Sequence, residues 1–145
     1  RLSLGYPAPK EEFAMVMDRQ AGNPLHKLTA LLTKEDLVAM QNEVEATYIK
    51  DAIVKYIVDL IVATRNSDNI LRGASPRATL AMTAMAKAMA RIHGRDYVLP
   101  EDVQEVFVKT VSHRLLLSAK AEGRRMSPEQ VLTEILKQVP TPKMY

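Results

Sequence analysis

The sequence predicts an all-α fold, a bundle of about five to six helices with one short strand at its start. Three observations predict it. Apolar residues recur at spacings of three and four over most of the chain. Helix starts are written out as Thr33 with Asp36 and as Ser127-Pro128-Glu129-Gln130. Alternation of polar and apolar residues is confined to the first positions, Arg1-Leu2-Ser3-Leu4, before Gly5 and Pro7 end it.

Taken in order, Arg1 to Pro7 reads as a strand too short to stand alone, so its sheet is expected upstream and the chain is read as a fragment of a longer protein. A helix over about Pro9 to Arg19 puts Phe13, Val16 and Met17 on one face. Ala21-Gly22-Asn23-Pro24 breaks it. Thr33 caps a helix from about Lys34 to Glu43 that presents Leu37, Met40 and Val44. Thr47-Tyr48-Ile49 reads as extended. A helix over about Lys50 to Thr64 carries Ile53, Val54, Ile57, Val58, Leu60 and Ile61 inward, with Asp51, Lys55 and Asp59 able to pair at four-residue spacing. From Ser75 to about Ile92 the chain is rich in Ala and Met. Only Thr79, Thr83, Lys87 and Arg91 form a polar stripe, which predicts a central helix packed on several sides. Gly94 suits a left-handed cap. Tyr97-Val98 is a brief extended link, and Pro100 to Val111 is a helix with Val103, Val106 and Phe107 inward and Glu101 and Asp102 at its positive end. His113 to Leu117 fits either helix or strand. The last helix runs from Ser127 to about Gln138, and Pro140 and Pro142 mark a frayed tail. The expected layout is a strand and hinge over 1–8, a helical domain over 9–139 and a tail over 140–145.

Composition narrows the function classes. The 145 residues are 47% hydrophobic and 26% charged, an ordinary globular balance. Aromatics are only 5%, Trp is absent, and 8 Met help to fill the core. With no Cys, disulfides and thiolate metal sites are excluded and a cytoplasmic location is the expectation. No apolar run reaches the ~18 residues of a membrane span, and no signal peptide is visible. The net charge of +3 is too small to argue for nucleic acid.

No self-sufficient active site is written in the chain. None of the five glycines begins a phosphate-binding G-x-x-x-x-G-K-[ST] loop. His26, His93 and His113 lack metal-ligand spacing, so no metal site is expected. The informative stretch is Gly73-Ala74-Ser75-Pro76-Arg77-Ala78. Ser75 suits a helix N-cap and Pro76 the first helical position. Arg77 then falls in the first turn, where the helix dipole disfavours a cation unless an anion is meant to sit beside it. The plainer alternative is a surface arginine paired with Asp68 or Glu101. Arg95-Asp96 and His113-Arg114 read as structural pairs.

Leu4-Gly5-Tyr6-Pro7, Tyr56-Ile57-Val58, Ala63-Thr64-Arg65, Gly73 to Ala78, Gly94-Arg95-Asp96-Tyr97-Val98 and His113-Arg114-Leu115 occur in that order. Over about Arg1 to Leu117 the chain resembles the C-terminal part of MoxR-type AAA+ ATPases, and magnesium-chelatase ATPase subunits share a similar sensor block. The resemblance implies that the strand is the last of a nucleotide-binding core upstream, with its Walker motifs and arginine finger, and that the rest is the helical lid. It implies that Arg77 is the sensor 2 arginine reaching the γ-phosphate of ATP, with Gly73, Ser75 and Pro76 in the same nucleotide-binding block and Mg2+ held by the core. The whole protein would then hydrolyse ATP, while these residues alone would be inactive. Implied partners are the chain's own N-terminal core, further copies in a hexameric ring, and a client protein whose chaperone-like maturation includes metal or cofactor insertion. Leu99 departs from the family, which often has Thr or Ser before Pro-Glu-Asp, and lacks a cap worth ~1 kcal/mol. The rival reading is a helical nucleic-acid-binding or protein-docking module using Lys120, Arg124 and Arg125, although Lys120 to Arg125 also reads as a solvated loop.

Overall fold

The computed structural model describes residues 3–20 and 22–143, and its architecture is all-α as expected. Among the described residues there are seven α-helices and one two-stranded sheet. The chain divides at Ala39–Met40 into two compact units.

The first unit holds α1 (Pro9–Gln20), a 3-10 turn (Pro24–Lys27) and the start of α2 (Lys34–Ala46). Its caps are local side-chain bonds. Asn23 Oδ1 accepts from the Leu25 N–H at 3.2 Å. Thr33 and Asp36 form the expected capping box, with the Thr33 N–H donating to Asp36 at 2.8 Å and the Asp36 N–H to Thr33 Oγ1 at 3.1 Å. The Thr33 backbone bond, helped by its hydroxyl, lowers the Asp36 pKa from the ordinary carboxylate value. The apolar faces lie where their spacing puts them, yet no residue of α1 or α2 is buried. Phe13, Val16, Met17, Leu37 and Met40 are all exposed. No strand forms over residues 3–8, where Gly5 takes a left-handed φ of 72° that breaks an extended path. Arg1 and Leu2 of the expected strand lie outside the described residues.

The second unit carries the core. In α3 (Asp51–Arg65), Ile53, Tyr56, Ile57, Leu60 and Ile61 are buried at helical spacing, while Val54 and Val58 face outward. Lys55 pairs with Asp59 at 2.6 Å on the polar side. Helix α4 (Pro76–Ile92) buries one stripe, Ala78, Met82, Ala86 and Ala90, spaced four apart. It packs on α3 and α5, as its composition predicted, but is not enclosed all round, and Leu80 and Ile92 are exposed. Small side chains make the stripe a close-approach surface rather than a sign of all-round burial.

The polar stripe of α4 has a specific task. Lys87 Nζ donates to the Glu45 carbonyl at 2.8 Å, and Arg91 Nε donates to the Glu43 carbonyl at 3.2 Å and to Thr47 Oγ1 at 2.8 Å. These cations satisfy the free carbonyls at the negative end of α2. Helix α4 closes in a Schellman motif: Gly94 has a φ of 72°, its N–H donates to Arg91, and the Arg95 N–H donates to Ala90 at 2.9 Å.

The two predicted extended pieces, at Tyr48 and Tyr97, pair with each other in a single parallel bridge. Helix α5 (Pro100–Val111) has the predicted bounds. Leucine has no acceptor, so only half a capping box forms at its start, with the Leu99 N–H donating to Asp102 Oδ2 at 2.8 Å. Arg95 does not pair with its neighbour Asp96; it turns instead to Asp102.

A 3-10 turn (Ser112–Arg114) leads into β2 (Leu116–Leu117), which pairs antiparallel with β1 (Ile70–Arg72) across an irregular register. Lys120 to Arg125, read as a loop, includes the short helix α6 (Ala119–Gly123), capped by Ser118. Helix α7 (Pro128–Gln138) starts with the predicted Ser127–Gln130 capping box and buries Val131, Leu132 and Ile135. After it, Thr141 Oγ1 accepts from Gln104 Nε2 at 3.1 Å, and the same nitrogen lies 3.3 Å from the Tyr56 hydroxyl. The tail is tied down at least to Thr141; Met144 and Tyr145 lie outside the described residues.

Candidate functional site

The site is the turn from Gly73 to Arg77, between β1 and α4. Its backbone lies against the last turn of α3. A Cβ on Gly73 would come within 2.7 Å of both the Arg65 Cα and the Thr64 carbonyl oxygen, so only glycine fits. The next residue, Ala74, is gripped on both polar backbone atoms. Its N–H donates to Thr64 Oγ1 at 3.0 Å, and its carbonyl accepts from Arg65 Nε at 2.9 Å. Thr64 is fully buried and donates its own hydroxyl proton to the Ile61 carbonyl at 2.6 Å. Ala74 and Ala78 anchor the two ends of the turn in the core.

Ser75 occupies the N-cap position with an extended backbone, but its side chain makes no cap bond. The predicted hydroxyl cap is therefore absent. The turn is organised by the Ala78 N–H donating to the Ser75 carbonyl at 2.8 Å, and by Pro76, whose ring presets the first helical φ.

Arg77 lies in the first turn of α4, exposed. Among the described residues it has no ion pair or side-chain hydrogen bond. Neither Asp68 nor Glu101 takes it. Asp68 pairs with Lys120 at 3.2 Å, and Ser118 Oγ donates to the Asp68 carbonyl at 2.8 Å. A guanidinium at the positive end of a helix, with no internal anion, can bind an external one through two parallel N–H bonds. Gly73, Ser75, Pro76 and Arg77 lie together on this one turn.

A second polar cluster joins the end of α4 to the start of α5. Asp102 is buried and receives Arg95, the Leu99 N–H and the edge of the His93 ring, whose Nδ1 lies 3.0 Å from Oδ1. Burial alone would raise the Asp102 pKa. The Arg95 guanidinium, the Leu99 N–H and His93 together outweigh it and hold the carboxyl below its ordinary value. The same bond to Asp102 raises the Arg95 pKa. Arg114 Nε donates to the Thr110 carbonyl at 3.1 Å, a structural role. No group of three or more His, Asp or Glu among the described residues could hold a metal ion. No helix among them is long and apolar enough to cross a membrane.

In sequence, Thr64 and Arg65 stand out only as part of the block Ala63-Thr64-Arg65, with no role of their own. The signal that could have raised them was their place, ahead of Gly73, among the ordered blocks.

The helical unit that carries this turn falls in one class by family match, the AAA lid. A family model described as the AAA lid domain matches residues 62–135, just over half of the chain. Chaperone MoxR1 of Mycobacterium tuberculosis is 33% identical over 99% of this chain and 40% of its own length. YeaC of Bacillus subtilis is 33% identical over 98% of this chain and 44% of its own length. A crystal structure of a candidate ATPase from Cytophaga hutchinsonii superposes with a TM-score of 0.84, at 32% identity, covering 97% of this chain and 45% of that one. The chain belongs to the AAA lid domain family and is the lid part of a MoxR-family AAA+ ATPase. It spans less than half the length of these relatives.

Proposed function

We propose that this lid couples ATP binding and hydrolysis to the chaperone-like maturation of a partner protein, with Arg77 as its phosphate sensor. The carrying observation is that Arg77 is an exposed cation with no partner among the described residues, on a turn whose backbone is held from α3. That combination suits a residue whose anion comes from outside the chain. ATP supplies the charged γ-phosphate, and Arg77 binds and orients it while a core upstream holds Mg2+. The guanidinium stabilises charge on the phosphate without titrating. Loss of the γ-phosphate releases that contact and frees the lid to rotate about residues 4–9 as a hinge.

The remaining parts rest on the family resemblance. A hexameric ring, a cytoplasmic location and a client that receives a metal or cofactor extend the same reading, and the chaperone name of the Mycobacterium relative supports the client role.

Arg77→Ala in the full-length protein tests the sensor. ATP turnover should fall by about tenfold or more, while the melting temperature of the lid stays unchanged. Arg77→Lys should recover only part of it, because an ammonium cannot make the forked contact. Turnover equal to wild type in Arg77→Ala would overturn the role.

A further inference from the structure

We infer that Thr64 and Arg65, at the end of α3, are positioning residues for Arg77; the inference rests on the sensor reading above. Four observations converge on it. The Thr64 hydroxyl is fully buried and used twice, as donor to Ile61 and as acceptor from Ala74. Arg65 holds the other side of the same residue through the Ala74 carbonyl, in the next peptide. Gly73 has no space for a side chain because α3 backbone fills it. Ser75, which would ordinarily fix a helix start from within, makes no side-chain cap.

The start of α4 is thus set from α3 rather than by its own N-cap. Ala74 is three residues before Arg77, and the intervening Ser75 and Pro76 leave little backbone freedom. A shift at Ala74 therefore moves the base of the guanidinium. A sensor acts only when its donors reach the charge that develops on phosphate, so a displacement on the order of 1 Å is enough to impair it.

Beyond Ala74, the same segment is fastened on its other side. The Ser118 N–H donates to the Asn69 carbonyl at 3.0 Å, and Ser118 Oγ to Asp68 at 2.8 Å. The residues between α3 and α4 are held from both directions, and Thr64 is the buried member of that set.

The test is a double-mutant cycle in the full-length protein, reading ATP turnover. Thr64→Val keeps the shape of the side chain and removes both hydroxyl bonds; Thr64→Ser keeps them. Thr64→Val should lower kcat about tenfold, the loss expected when a catalytic cation is misplaced, and Thr64→Ser should stay within about twofold of wild type. In a background of Arg77→Ala, Thr64→Val should cost nothing more, since the two residues act as one unit. Should Thr64→Val fail to fold, Arg65→Lys replaces it in the cycle, because Arg65 is exposed and its loss does not open the core. A full additive loss on top of Arg77→Ala, or equal losses in the Val and Ser variants, would overturn the positioning role alone. A silent Arg77→Ala would remove the sensor reading, and this inference with it.

Discussion

Asp102 and Arg95 form a forked ion pair at the corner between α4 and α5, with Nη1 donating to Oδ2 at 2.8 Å and Nη2 to Oδ1 at 2.5 Å. The carboxylate is fully buried, whereas the arginine side chain keeps 21% of its exposure. Removing the carboxylate leaves the Leu99 N–H without its acceptor and the guanidinium with the Tyr97 carbonyl but no carboxylate. Asp102→Ala should destabilise the protein by about 3 kcal/mol, as for other broken buried pairs, measured by urea unfolding.

The same carboxyl sets an acid dependence. Its pKa is lower in the folded than in the unfolded chain. The unfolded state therefore binds its proton first as pH falls. The stabilisation is fully present above the unfolded value, about 3.9, and is lost as pH drops through the folded value. Thermal melts should show this acid loss in wild type. In Asp102→Asn, which has no carboxyl to protonate, the dependence below about pH 4 should be shallower.

Two glycines should fail for different reasons. Gly73→Ala places a Cβ against α3 backbone, which cannot move like a flexible side chain. A cost of about 1–3 kcal/mol is expected, as for overpacked sites. Gly94 has nothing within 4 Å of a built Cβ, only its φ of 72°. Gly94→Ala should cost about 1 kcal/mol from conformational strain alone, and Gly94→Asn less. Equal costs for alanine and asparagine at Gly94 would contradict the strain explanation.

The two Ser-Pro helix starts should also separate. Ser127 accepts from the Gln130 N–H at 3.2 Å and is answered by the Gln130 side chain at 2.8 Å. Ser127→Ala should cost about 1 kcal/mol. Ser75 makes no such bond. Ser75→Ala should therefore leave the unfolding midpoint almost unchanged.

This contrast shows what is legible in a sequence and what is not. The bounds of α5 and α7 follow from local signals, Pro100 with two acids and Ser127 with Gln130, and the structure keeps both. Ser75-Pro76 repeats the Ser-Pro start but has Ala78 where the other has Gln130, and the predicted cap does not form; α3 holds that turn instead. Strands of two and three residues carry no readable alternation, so β1 and β2 depended on a pairing distant in sequence. Adjacency suggested Asp96 for Arg95, but the Schellman turn aims the guanidinium across the corner at Asp102. The candidate site was legible as a loop with an arginine. The supports at Thr64 and Arg65 were not, since a buried threonine and an exposed one look alike in sequence.

The chain also carries its own optical reporter. Trp is absent, and Tyr56 is buried while Tyr6, Tyr48 and Tyr97 are exposed. Among the described tyrosines, the asymmetric surroundings that give a ring its near-ultraviolet circular dichroism are therefore concentrated at Tyr56. Its hydroxyl touches Gln104, which also holds Thr141. A spectrum taken during unfolding would follow the joining of α3, α5 and the final residues in one signal, with no label added.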